Sequence, residues 1–229
     1  VALKELTQSP GQHVLDEQTL ALAANVSAKD LGERYLAKTQ IIAPENARFV
    51  DKLPFNFFYA PLITQALPNA KILCLLRNPM DTCLGNFRQL FSIHSPYYNY
   101  AYKLEWVAEF YIEFYRMMQT FAAQNDNVML VDYEQLVRDP EENVKAILAH
   151  CDLPYEPQCV DVQNNKLPVS TASKVQVREP INTKSLGRWR QFEQQLHNDV
   201  VTHHCAQRNN RNNDHAGRRG KSTDKRHHR

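Results

Sequence analysis

The chain has 229 residues, 43% of them apolar and 23% charged, with a net charge of +2. That is an ordinary soluble mix, long enough for one α/β domain with a real core. No apolar run reaches the roughly 18 residues of a membrane span, and the five cysteines, at 74, 83, 151, 159 and 205, follow no CxxC or disulfide framework.

Helical spacing comes first along the chain, over residues 15–25 and 28–38. "ARFVDK" (47–52) is predicted to be a short strand ending in a charged pair. "NFFYAPLITQAL" (56–67) reads as a helix interrupted near Pro61, which lacks an N–H. "KILCLLR" (71–77) has the unbroken apolar run of a parallel strand covered on both faces. A helix follows over 79–91 with Pro79 in its first turn, then a long amphipathic helix over about 102–123. "NVMLVDY" (127–133) is the next strand. "DPEENVKAILAHC" (139–151) is a capped helix, with Glu134 and Asp139 as helix-start residues. Residues 152–184 read as a loop, and 187–196 as the last helix, with Trp189 as its apolar anchor. Alternating strands and helices predict a parallel sheet with helices on both faces. Cys74 and Cys151 sit in apolar patterns and read as buried free thiols. A reducing, cytoplasmic compartment is therefore expected.

Charge is uneven. Residues 1–196 carry 19 Lys and Arg against 22 Asp and Glu, whereas 197–229 carry 8 against 3 and six of the nine histidines. The first segment is expected to be one domain. The second is expected to be a basic, disordered tail, since it has too little apolar content to offset ordering entropy. No aromatic residue is interleaved there to stack bases, so no nucleic-acid partner is expected. No membrane partner and no metal are expected either, and the oligomeric state is left open.

The stretch "KILCLLRNPMDTCLGNF" carries the strongest chemical signal. Arg77 closes a central strand at the carboxyl edge, where open α/β sheets bind ligands. Asn78 is an N-cap candidate for the next helix, whose unpaired N–H groups and positive end would face the same place. A guanidinium beside them is a planar donor fork for phosphate oxygens. The competing reading is that Arg77 merely pairs with Asp81.

"FVDKLPFNF", "LLRNPMDTCLGNF", "LVDYEQLVRDP" and "STASKVQVREPINTKSLGRW" occur in that order. Together they resemble the sulfotransferase family over about residues 30–196, closest to its bacterial branch with N-terminal tetratricopeptide repeats and more distantly to protein-tyrosine sulfotransferases. The resemblance implies a P-loop-like, three-layer α/β/α fold. It also implies binding of PAPS (3′-phosphoadenosine-5′-phosphosulfate) and sulfuryl transfer to an acceptor hydroxyl or amine of a small molecule or a protein, a protein tyrosine among them. Arg77 matches the arginine that grips the donor's 3′-phosphate. The family places a serine eight residues later for the same phosphate; here that position is Gly85, with Asn86 beside it as a substitute. Lys52 resembles the lysine at the reacting centre, where a fixed ammonium would stabilise charge on the leaving oxygen. Tyr133 resembles the aromatic against the adenine. Ser173 and Arg188 match polar and basic positions on a loop that closes over PAPS, and Arg178 and Lys184 add positive charge to it.

The family's glycine-containing phosphosulfate loop has no counterpart among the six glycines, and no GxxxxGK[ST] occurs. The first strand and that loop are therefore expected to be missing, and the domain to be N-terminally truncated. His13 and Glu17 are the early candidates for a general base, and nothing in their spacing supports them. Two function classes stay open: a sulfotransferase catalytic domain, and a non-catalytic nucleotide-binding or interaction module derived from it. A P-loop kinase is a weaker third. Tyr97, Tyr98, Tyr100 and Tyr102 are equally compatible with an acceptor pocket and with packing at the start of the long helix.

Overall fold

A computed structural model describes residues 2–9, 16–39, 48–164 and 179–196. Helices α1 (Ala2–Thr7), α2 (Glu17–Ala23) and α3 (Ala28–Thr39) come first. Asp16 caps α2 by accepting from the Thr19 N–H at 2.8 Å. A 3₁₀ turn over Pro54–Tyr59 leads into α4 (Ala60–Ala66). Pro61 falls in the first turn of α4, where its missing N–H costs nothing, so it starts that helix instead of interrupting a longer one.

Strand β1 (Ile72–Leu76) is followed by α5 (Pro79–Phe87), a 3₁₀ segment over Pro96–Tyr102 and the long α6 (Leu104–Gln124). Strand β2 (Val128–Asp132) lies beside β1 in a parallel two-stranded sheet. Then come α7 (Tyr133–Arg138), α8 (Pro140–His150), 3₁₀ turns over 157–160 and 162–164, a 3₁₀ turn over Arg188–Phe192 and α9 (Glu193–Leu196). The α/β class and the parallel sheet are as the sequence predicts.

The chain forms two compact units. The first comprises the described residues within 1–74, 117–131 and 146–154. Here α3 and α4 pack so closely that Gly32 faces the Ala66 backbone; a Cβ at position 32 would lie 3.0 Å from the Ala66 carbonyl carbon and closer still to its oxygen. Glu5 holds Lys38 at 2.7 Å and Arg34 at 3.3 Å, tying α1 to α3. The second unit comprises the described residues within 75–116, 132–145 and 155–229. Its core gathers Met80, Cys83, Ala101, Val107, Ala108, Tyr111 and Leu196, with Trp189 and Phe192 packed against it.

Three expectations need correction. Residues 48–52 form no strand: Val50 is 91% exposed and Phe49 42%, so the segment has no buried face to hold it flat. β1 is covered on one face only among the described residues. Cys74 and Leu76 are buried, while Leu73 and Leu75 are 44% and 54% exposed. And Tyr133 does not end a strand. It opens α7, because Asp132 caps that helix through the Gln135 N–H at 3.0 Å. The expected tail over 197–229 lies outside the described residues.

Cys74 and Cys83 are buried free thiols, Cys151 is only partly covered and Cys159 is exposed. Burial pushes the Cys74 thiol up to about 11. At pH 8 roughly a thousandth of such a thiol is ionised, and the thiolate is the reactive form. Iodoacetamide mapping by mass spectrometry should therefore find Cys159 modified well before Cys74 or Cys83. Equal rates at Cys74 and Cys159 would contradict this burial.

Candidate functional site

The second unit places a cation at the end of β1. Leu76 is buried and Arg77 follows it, turning the chain into α5. The turn is fixed from three sides. The Tyr111 hydroxyl donates to the Arg77 carbonyl at 3.0 Å, and the Asn78 N–H donates to Glu134 Oε1 at 2.8 Å. Asn78 Oδ1 in turn accepts from Met80 N–H at 3.0 Å and Asp81 N–H at 3.3 Å.

That cap changes how the site can work. The sequence suggests a helix start with unpaired N–H groups aimed at a ligand. In the structure Pro79 has no N–H, the next two go to the Asn78 side chain, and Thr82 N–H goes to the Asn78 carbonyl at 2.9 Å. The start of α5 is closed by its own cap, so its first N–H groups are not free to hold an anion.

Those side chains gather around Arg77. One guanidinium nitrogen, Nη2, donates to the Ser185 carbonyl and lies 3.9 Å from Asp81 Oδ2. The guanidinium also sits over the Tyr133 ring, 5.2 Å from its centre. The Tyr133 and Ser185 hydroxyls are hydrogen-bonded at 3.0 Å. Asp81 is 3% exposed. It accepts from Gly187 N–H at 2.6 Å and Trp189 N–H at 3.0 Å, capping the 3₁₀ turn over 188–192 from a distant part of the chain. Gly187 takes φ +67°, a left-handed conformation that glycine adopts at little cost, and so turns both N–H groups toward one carboxylate. The Arg77–Asp81 contact is thus real, but Asp81 faces three groups and not Arg77 alone.

Arg77 and Tyr133 are brought together; the other candidates are arranged differently. Gly85 is exposed, and a side chain there would meet nothing within 4 Å. Asn86 uses its amide within the fold, donating to the Thr82 carbonyl at 2.9 Å and accepting from the Tyr100 hydroxyl at 3.3 Å. The Arg188 and Lys184 side chains are exposed. Ser173, Arg178 and His13 lie outside the described residues, and Glu17 is an exposed first residue of α2.

Lys52 belongs to the first unit and is exposed. Its neighbour Asp51 is held by the Tyr35 hydroxyl at 2.9 Å and by the Asn56 amide at 3.5 Å. Partial burial and that carboxylate push the Tyr35 hydroxyl up to about 12.

Tyr98 stacks on Phe91 and Tyr100 on Phe110, with ring centres 4.1 Å and 4.0 Å apart, so both serve packing. Tyr102 instead lines a cavity of about 860 Å³ with Leu84, Phe87, Trp106, Phe192 and Leu196. Among the described residues no group of three or more His, Cys, Asp or Glu gathers around a point where a metal ion would fit. No described helix is long and apolar enough to cross a membrane.

Asp81 as a three-way contact, Glu134 as the Asn78 partner and Ser185 beside Tyr133 are not foreseen from sequence. Apart from the Arg77–Asp81 pair, their partners lie 52 to 108 residues away, beyond any local pattern.

A family model described as the sulfotransferase family matches residues 2–157. An uncharacterized protein of Aquifex aeolicus is 34% identical over 172 residues, covering 73% of this chain and 22% of that protein. Two nematode proteins are provisionally named protein-tyrosine sulfotransferases. The Caenorhabditis elegans one is 26% identical, covering 67% of this chain and 60% of itself; the Caenorhabditis briggsae one is 24% identical, covering 78% and 60%. The chain thus spans under two thirds of each of these relatives. A solved sulfotransferase domain from the curacin biosynthetic pathway is 14% identical with a TM-score of 0.43, covering 80% of this chain and 64% of that one.

Proposed function

The chain belongs to the sulfotransferase family, and from that premise we propose that it takes part in sulfuryl transfer from PAPS to an acceptor hydroxyl or amine. The observation that carries this reading is the donor set at the end of β1, where the Arg77 guanidinium stands with the Tyr133 and Ser185 hydroxyls. A permanent cation beside two hydroxyls is chemistry suited to a phosphate group.

In this reading Arg77 binds the 3′-phosphate of PAPS, and the Tyr133 ring borders the adenosine. Arg188, and Ser173 beyond the described residues, contact the same end of the donor. Gly85 leaves open the side of α5 where the family carries a serine, and Asn86 stays with Thr82 and Tyr100. PAPS supplies the activated sulfuryl group. Lys52 supplies a positive charge to the oxygen that leaves with the phosphate, which lowers the barrier by electrostatic stabilisation. The acceptor is a small molecule or a protein; a tyrosine hydroxyl is the class that the names of the nematode relatives suggest. The buried thiols Cys74 and Cys83 support a reducing compartment such as the cytoplasm.

Calorimetry with 3′,5′-ADP, the desulfated product, and with 5′-AMP tests the donor assignment. Charge-assisted pairs contribute about 1.5–3 kcal/mol, so Arg77→Ala should weaken 3′,5′-ADP by about ten- to a hundredfold and leave 5′-AMP much less affected. Equal weakening of both ligands would refute a 3′-phosphate role. Transfer of labelled sulfate that survives Lys52→Ala unchanged would refute the catalytic role of that lysine.

A further inference from the structure

We propose that the Ser185 hydroxyl is a direct ligand contact, donating a hydrogen bond to the same phosphate that Arg77 binds. The assignment rests on the donor reading above. It starts from a shortage of donors. The N–H groups at the start of α5 are taken by Asn78, and Gly85 contributes no side chain. Among the described residues, the Tyr133 and Ser185 hydroxyls are donors that remain close to Arg77.

Ser185 is placed for this by three contacts. Its carbonyl accepts from Arg77, its hydroxyl meets the Tyr133 hydroxyl at 3.0 Å, and two residues on Asp81 fixes the Gly187 N–H. Two hydroxyls in one hydrogen bond use one proton between them. Either hydroxyl can be the donor in that bond, so one O–H is left over, and it is that of Ser185 when Tyr133 donates. A spare O–H beside a guanidinium, on a segment held at both ends, is the geometry an incoming phosphate oxygen requires. Asp81 acts as a positioning residue: it touches the segment that carries Ser185, not the ligand.

The test is calorimetry of 3′,5′-ADP and 5′-AMP binding to the full chain, comparing wild type with Ser185→Ala, Ser185→Thr, Tyr133→Phe and the Ser185→Ala/Tyr133→Phe pair. Ser185→Ala keeps the carbonyl that Arg77 uses, so it removes only the hydroxyl. It should weaken 3′,5′-ADP about tenfold or more and change 5′-AMP little, and Ser185→Thr should restore most of the loss. Ser185→Ala should also cost affinity in the Tyr133→Phe background, where no shared hydroxyl bond exists. A loss seen with Tyr133 intact and absent in the Tyr133→Phe background would mean that Ser185 only braces Tyr133, and would overturn the contact. Wild-type 3′,5′-ADP binding that Ser185→Ala leaves unchanged overturns this assignment alone. No 3′,5′-ADP binding by the wild type removes the donor reading and the assignment with it.

Discussion

Replacing Asp81 with alanine should destabilise the second unit by about 3 kcal/mol and weaken 3′,5′-ADP at the same time. Two costs add. The Gly187 and Trp189 N–H groups, both partly buried, lose their acceptor, at about 1–3 kcal/mol for each donor left unpaired. Arg77 also loses its carboxylate neighbour at 3.9 Å. That second loss is small, because the Arg77 side chain is 32% exposed and the pair is long at 3.9 Å. Most of the destabilisation therefore comes from the uncapped turn. Urea unfolding followed by tryptophan fluorescence measures this, since Trp189 lies on the released segment. Asp81→Asn keeps one carbonyl acceptor and should recover part of the stability. A midpoint unchanged in Asp81→Ala would mean that the turn over 188–192 holds without its cap.

The second large effect separates two glycines on helices. Gly32→Ala should destabilise the first unit by at least 1–3 kcal/mol, the usual range for an overpacked contact. The new methyl would run into the Ala66 backbone, which can yield only by moving α3 away from α4. Alanine's helix preference, about 1 kcal/mol over glycine, works the other way and is too small to win. Gly85→Ala has the same propensity gain and no neighbour within 4 Å, so it should stabilise by up to about 1 kcal/mol. Thermal melts of the two variants should move in opposite directions. A shift of the same sign in both would contradict the close approach at position 32.

Much of the site's frame is written locally. The apolar run before Arg77, the Asn-Pro pair and the cap at Asn78 all act within a few residues, so the end of β1 and the start of α5 are legible. The cap at Asp132, by contrast, is missed, and β2 is read one residue too long at its end. What surrounds Arg77 is not legible either. Asp81 reads as an ordinary first-turn acid, and only its distant partners reveal a cap for another segment. Asn78 reads as a cap, but that its side chain and carbonyl use up the early N–H groups of α5 is a matter of geometry. The stretch 48–52 has the composition of a strand, yet a strand needs a neighbour and a buried face, which no short window supplies. The exposure of Leu73 and Leu75 is hidden for the same reason: a fully apolar run says what could be covered, not what covers it.

The carboxylate of Asp81 and the backbone it caps are separated by 106 and 108 residues. During synthesis, at about 5–20 residues per second, that gap lasts roughly 5–20 s. Local helices such as α5 and α6 form in microseconds or less. For all of that interval, then, Arg77 and its helix exist without the segment that completes their surroundings. The anion seat is an assembly of parts made at different times, and it closes only when the turn over Arg188–Phe192 has been made.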